Sequence, residues 1–346
     1  MVRLNPLTVW LLLIFLAPLK LAAQDAYFPS EMQDIVHAIV RHSVMQEYDT
    51  ATGLALQLKR RYPDHPAGYF FQAAVLQSKM MDYENYARLE EFFRLTKRAV
   101  ALAQKDIKRY PRNSWPYFFL GASLGYKAFY FFRDKNYLQA FRDGWNAIKM
   151  LELALERDST NYDIYLGVGA FKYYKSKYGK YVKILPFVAD ERDLGIRMIR
   201  KAIHRGRFAA PAAMNALIWI YIAEERYEDA GDLVRQALNA YPRSRFFLWG
   251  KAALAYKQKQ WIIARNAYRE LLATYESEGD TASPFNQMVC HVMLADIYQR
   301  MKAPQQANRH AMLALQFDID KPLKKRAKIY YEVAHRILEE TRTGGE

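Results

Sequence analysis

Residues 211–276 read PAAMNALIWIYIAEERYEDAGDLVRQALNAYPRSRFFLWGKAALAYKQKQWIIARNAYRELLATYE, and this stretch repeats itself. Ala230, Val234, Ala237 and Pro242 are followed 34 residues later by Ala264, Tyr268, Leu271 and Glu276. Met214, Leu217 and Tyr221 are matched at the same offset by Leu248, Lys251 and Ala255. A fixed period of this length is the mark of a repeat architecture, so the chain is best read unit by unit.

Within each unit, small residues such as Ala230 and Ala264 allow a second helix to lie close on the first, and the larger residue four places on fills the space between successive pairs. The proline of Tyr241-Pro242 cannot continue a helix and forces a turn into the next unit. At these offsets the sequence resembles the tetratricopeptide repeat (TPR) pattern. The resemblance implies an all-α fold, an α-solenoid of antiparallel helix pairs, and a scaffold that binds a partner protein or peptide in a concave groove.

The same frame extends along the chain. Ala51, Ala55, Leu58 and Pro63 close a first unit beginning near Met32, and Ala99, Ala103 and Pro111 close a second. A third ends through Ala147, Leu151 and Ala154, and a fourth opens at Tyr165, Val168 and Gly169 and closes at Gly195, Ile199 and Ala202. After the two regular units, a seventh runs through Leu294, Ala295, Tyr298, Ala307, Ala311 and Ala314, with a capping helix predicted over about Leu323 to Glu340. Units two to four carry insertions of roughly 12 to 20 residues over the TPR period. Two of these, Met81 to Lys97 and Lys127 to Arg142, are polar–aromatic and are predicted to lengthen helices. The predicted organisation is 1–23 leader, 24–210 degenerate units with insertions, 211–319 regular units, and 320–346 capping helix and tail.

The leader reads as a secretory signal: Arg3, then the apolar run Leu7 to Leu19, then Ala22 and Ala23 before Gln24. About thirteen apolar residues fall short of the roughly 20 that span a bilayer. Cleavage is expected between Ala23 and Gln24, the alternative being a retained N-terminal anchor. No cysteine follows the run to accept a lipid. The expectation is an exported chain, periplasmic, outer-membrane-associated or secreted.

Composition narrows the chemistry. Scarce Gly (15) and Pro (13) in 346 residues suit long helices. Cys290 is the sole cysteine, which excludes an intramolecular disulfide and any metal site needing two thiolates from this chain. Lys and Arg outnumber Asp and Glu by 51 to 36, a net charge of +15, and a basic field attracts anionic partners. For an exported chain these are envelope components before nucleic acid.

Two surfaces are candidate contacts. Residues 171–188, FKYYKSKYGKYVKILPFV, interleave Lys175, Lys177, Lys180 and Lys183 with Tyr173, Tyr174, Tyr178 and Tyr181. Such a mixture can meet an anionic membrane or glycan surface, or its tyrosines can cover the neighbouring repeat while its lysines are solvated. The TPR resemblance separately projects first-helix residues onto a concave face: Trp115, Phe118, Tyr126, Tyr173, Tyr174, Asn215, Trp219, Phe246, Trp249, Tyr256 and Lys257, with Asp296, Gln299 and Arg300. Aromatic side chains there offer large contact area with few rotors, as binding hot spots do, or else serve as interior packing. The Lys/Asn clamp by which some TPR domains hold a terminal carboxylate is not reproduced.

Catalytic patterns are missing from the sequence. The seven histidines are dispersed without an HExxH, and Cys290-His291 are sequence neighbours that a helix points about 100° apart. Gly167-Val168-Gly169 lacks a third glycine, and no GxxxxGK[ST] or GxSxG occurs. Glu90-Glu91, Asp190-Glu191 and Glu224-Glu225 are expected to be solvated. No cofactor, metal or catalytic residue is predicted, and the chain is read as a non-catalytic scaffold.

Overall fold

The computed structural model describes residues 26–179, 189–279 and 283–343. The leader, Lys180 and Lys183 therefore lie outside the described residues. The described chain is all-α, with fifteen helices making up 82% of the structure. They pair as α1 (Ser30–Val44) with α2 (Tyr48–Arg61), α3 (Pro66–Tyr83) with α4 (Leu89–Arg109), and α5 (Ser114–Arg133) with α6 (Tyr137–Arg157). Next come α7 (Ile164–Gly179) with α8 (Arg192–Arg205), α9 (Ala210–Ala223) with α10 (Tyr227–Ala240), and α11 (Arg245–Lys257) with α12 (Trp261–Glu276). Finally α13 (Pro284–Arg300) pairs with α14 (Pro304–Leu315), and α15 (Lys321–Thr343) follows. No described helix is long and apolar enough to cross a membrane.

The helix pairs share one local device. In six of the seven, the first helix ends with a residue in left-handed backbone: Gln46, Glu84, Lys135, Glu225, Lys259 and Lys302, with φ between 51° and 63°. One residue later an amide donates back to a carbonyl of the last turn, as in Asn136 N to Phe131 O, Arg226 N to Tyr221 O, Gln260 N to Ala255 O and Ala303 N to Tyr298 O. This is the Schellman closure, which satisfies helix-end carbonyls and reverses the chain. Glycine is its usual residue, and here each turn accepts the left-handed strain without one. Side-chain caps begin several helices: Asn113 accepts from Trp115 N, and Ser283 from Asn286 N with Pro284 at the first turn.

The second helices bury the stripe that the repeat requires. On α10 it is Ala230, Leu233, Val234 and Ala237, and on α12 Ala264, Ala267, Tyr268 and Leu271. Acidic Glu228 and Asp229 favour the N-terminus of α10 through the helix dipole. Close approach is enforced at glycines: a Cβ on Gly195 would lie 2.5 Å from the Gly169 carbonyl oxygen, so α7 and α8 touch backbone to backbone. The pair Gly167/Gly169 is thus a packing feature of α7.

The insertions do lengthen helices. Helices α3 to α6 run 18, 21, 20 and 21 residues, against 14, 14 and 13 for α9, α10 and α11.

The chain forms two compact units. The first gathers the stretch ending at Arg41, Asp49–Val75 and Glu90–Ala210; the second gathers His42–Tyr48, Leu76–Leu89 and the stretch from Pro211 onward. The first has an aromatic core, in which Phe28 lies 4.8 Å from Trp115 and 5.9 Å from Phe208, ring to ring, and Phe71 lies 5.4 Å from Phe208. Buried Asp163 receives the amides of Arg207, Phe208 and Ala209 at 2.7–3.0 Å, fixing the turn that presents Phe208. The second unit packs its repeats through side chains such as Leu248, Ala264, Leu271, Leu294 and Ile297.

Candidate functional site: an interaction face on first helices

Helix α9 is apolar on almost every side. Its buried residues are Pro211, Ala213, Met214, Leu217, Ile218, Ile220, Tyr221 and Ile222. The remaining face carries Asn215 and, one helical turn on, Trp219, which is 39% exposed. The Asn215 side-chain oxygen is shielded from solvent yet has no hydrogen-bond partner among the described residues. Leaving such an acceptor unmade costs on the order of 1–3 kcal/mol. On α11 the equivalent face presents half-buried Phe246, Ala253 and Tyr256 and exposed Lys257. Helices α9 and α11 lie close, since a Cβ on Gly250 would meet Ile218 at 2.8 Å.

The other projected residues of the second unit turn inward or pair with neighbours. Trp249 is half-buried, and its indole N–H donates to the Tyr275 hydroxyl at 3.1 Å, with its ring packed in two core clusters. The indole N–H thus finds its acceptor inside the unit, which leaves only part of the ring at the surface. Tyr256 donates to Asp296 at 2.6 Å, and Arg300 pairs with the same carboxylate at 2.7 Å while lying over the rings of Tyr256 and Trp261. The Asp296 hydrogen bond holds the Arg300 guanidinium more firmly charged than usual. This cluster is a braced rim rather than a pair of independent anchors. Gln299 reaches Glu340, again within the unit.

In the first unit the correction is larger. Tyr173 and Trp115 are fully buried and Phe118 is buried, so all three pack inside the unit. Tyr173 is held beside Gly195, where the close glycine contact draws α8 over it. Tyr126 is partly covered and stacks on Phe70 at 5.3 Å, and burial pushes its hydroxyl up to about 12. Tyr174 is exposed and stacks on Tyr178 with rings 6.1 Å apart and nearly parallel. Lys175 and Lys172 both pair with Glu191, at 3.3 and 2.6 Å, and the Lys172 hydrogen bond lowers the Glu191 carboxyl. Glu191 is therefore an ion-pair centre, against the expectation that it would be simply solvated. Lys177 donates to the Tyr173 hydroxyl at 2.9 Å. Lys172 and Lys175 thus tie α7 to the start of α8, while Lys177 is held within α7 itself.

Sequence reading overlooked the most elaborate polar cluster of the second unit. Arg245, 3% exposed at its side chain, donates from Nε and Nη2 to Asp82 at 2.6–3.1 Å, and its Nη1 reaches Glu278 and the Thr274 carbonyl. Its guanidinium lies over Tyr275 at 4.7 Å and Tyr83 at 5.4 Å. Tyr48 donates to Asp82, and Asn286 donates to the Asp82 carbonyl at 2.7 Å. Burial pushes the Asp82 carboxyl up, opposed by Arg245 and Tyr48, while the two carboxylates hold Arg245 protonated. No local pattern marks Arg245: its partner is 163 residues away.

Three further titratable side chains of the second unit, Cys290, His291 and His310, are at least partly buried. Cys290 is wholly buried, and burial pushes its thiol up, which suppresses the thiolate. His291 and His310, distant in sequence, meet at 2.9 Å between Nδ1 atoms, and burial lowers the His291 imidazole to about 4. Among the described residues no group of three or more His, Cys, Asp or Glu could hold a metal.

Helical-repeat structures surround this fold in the comparisons. The C-terminal part of a TPR repeat-containing protein from Cytophaga hutchinsonii is similar at 16% identity and TM-score 0.45, over 86% of this chain and 98% of that one. Yeast Tom70 is similar at 12% identity and TM-score 0.32, over 92% of this chain and 96% of that one. A human IFIT1 dimer with PPP-AAAA is similar at 13% identity and TM-score 0.44, over 91% and 83%. No protein-family profile matches the chain, and no curated protein matches it. The class is defined by the helix pairs themselves: this is an all-α, TPR-like helical-repeat protein.

Proposed function

We propose that the protein is a non-catalytic scaffold of the cell envelope that holds an extended segment or helix of a partner protein on the first-helix face of its second unit. The observation that carries the reading is the pairing, one turn apart on α9, of an Asn215 side-chain oxygen that has no hydrogen-bond partner among the described residues with the half-exposed Trp219 ring. A shielded amide is poorly served by water, whereas a peptide amide laid along the helix would satisfy it while covering the indole. Lys257 on the corresponding face of α11 supplies a positive charge for an acidic group in that segment. The envelope placement rests on the leader sequence.

The test uses two variants of the face, Trp219→Ala and Asn215→Ala, with binding of the co-purified partner segment measured by calorimetry. Each is expected to weaken binding about tenfold or more while leaving the far-ultraviolet circular dichroism of the helices unchanged. Undiminished affinity in both variants would remove this face from the function.

A further inference from the structure

The hairpin tip formed by the end of α5 and the start of α6 exposes Phe129, Phe132, Tyr137, Leu138, Phe141 and Trp145. Leu138, Phe141 and Trp145 are 83%, 69% and 60% exposed, unusual values for side chains this large. Tyr137, Phe141 and Trp145 recur every fourth residue and so share one face of α6. Phe132 packs on Tyr137 at 5.6 Å and Phe141 on Trp145 at 6.2 Å, making a continuous aromatic surface around the turn.

Exposed cations rim this surface at Lys135, Arg142 and Lys149. Of the two acids in residues 127–149, Asp143 is buried against Lys127 at 3.0 Å, and Asp134 stands at the turn. Helices α5 and α6 exceed α9 and α11 by six to eight residues (20 and 21 against 14 and 13), an extra length of about 10 Å at the helical rise. That length is of the order of the 5–10 Å to which interfacial apolar faces enter a bilayer. Exposed Tyr174 and Tyr178 lie near the C-terminal end of α7, which runs antiparallel to α6 with Gly167 against Leu151. They therefore fall toward the same end of this helical layer as the tip.

We infer that the α5–α6 tip is a membrane-docking wedge, inserting Leu138, Phe141 and Trp145 into the headgroup region of an anionic bilayer while Lys135, Arg142 and Lys149 meet its lipid phosphates. Amphipathic Tyr and Trp, interleaved with cations, match a surface that is apolar below and negatively charged above. This wedge is separate from the partner face on α9, and it puts the membrane contact at residues 129–149 rather than in the Lys/Tyr segment at 171–188.

A reporter at the tip tests it in the full-length chain. Because Cys290 is buried, Leu138→Cys can be labelled selectively with an environment-sensitive fluorophore, and Ile329→Cys, exposed on α15, serves as control. Vesicles of phosphatidylcholine with phosphatidylglycerol should blue-shift the label at 138 and not at 329. Pure phosphatidylcholine should do so less, and added salt should reverse the anionic part. The double variant Phe141→Ser/Trp145→Ser should weaken the tip signal about tenfold or more at equal lipid. A label at 138 that stays in water while the chain sediments with vesicles would overturn the proposal. So would a shift at 138 that follows protein concentration without lipid, which would assign the face to a second copy of the chain.

Discussion

The pairs α9 to α12 and the pairs α5 to α8 are built on one plan and read very differently. In the regular pairs a 34-residue offset in the sequence becomes a physical period: Glu225 and Lys259 occupy the same left-handed turn, and Ala230 and Ala264 the same close contact. In the inserted pairs the turn is kept at Lys135, but the helices overrun their neighbours and the aromatic residues divide into a buried set and an exposed tip. Repeat periodicity thus fixes which residues hold a pair together, whereas insertion decides which residues are left to face outward.

The sharpest way to break the regular region is at its buried charge. Arg245→Met leaves buried Asp82 without its cation, and takes the same partner from the partly exposed Glu278. Loss of one partner of a buried pair typically costs about 3–5 kcal/mol, so chemical denaturation should show that much less stability in the second unit. A loss below about 1 kcal/mol would mean that the carboxylates are hydrated in solution. Acidification acts on both compact units beyond these pairs, through His65 in the first unit and His291 in the second, each held near 4 by burial. Their folded values lie below the unfolded 6.5, so the unfolded chain binds the extra protons between those limits. Stability should therefore fall as pH drops from about 6.5 to 4, by up to about 3 kcal/mol per histidine. His65→Gln should flatten that slope in the first unit if the assignment is correct.

The inserted region can be probed sterically where α7 and α8 touch backbone to backbone. Gly195→Ala places a methyl 2.5 Å from the Gly169 carbonyl oxygen and should destabilise by about 1–3 kcal/mol in thermal melts. The smallest expected effect has the opposite sign. Lys259→Gly relieves a left-handed turn and should stabilise by about 1 kcal/mol, less the entropy glycine adds to the unfolded chain. A loss of stability there would show that the lysine side chain contributes more than its backbone costs.

The fold was largely legible because its signals are local. The Pro242 turn, the alanines at 230 and 264 and the capping segment near Leu323 to Glu340 each report a residue's own helix, and α15 spans Lys321–Thr343. The candidate face was only partly legible. Trp219 stands outward, but Tyr173, projected by the same rule, is covered where α8 closes in at Gly195, and Trp249 is half-buried with its N–H turned to Tyr275. The polar cluster around Arg245 was invisible, since nothing near Asp82 marks a partner 163 residues further on. The lengthening of α5 and α6 could be anticipated from their insertion, but not the exposure of Phe141 and Trp145, which depends on what packs beside them.

The scaffold claim is tested most directly by placing a photo-crosslinking amino acid at position 219 on α9 and, in parallel, at exposed position 263 on α12, then irradiating cells that carry the full-length chain. A discrete adduct with one envelope protein is expected from position 219, lost on adding Asn215→Ala, and none from 263. Adducts from 263 alone, or from 219 undiminished by Asn215→Ala, would contradict it.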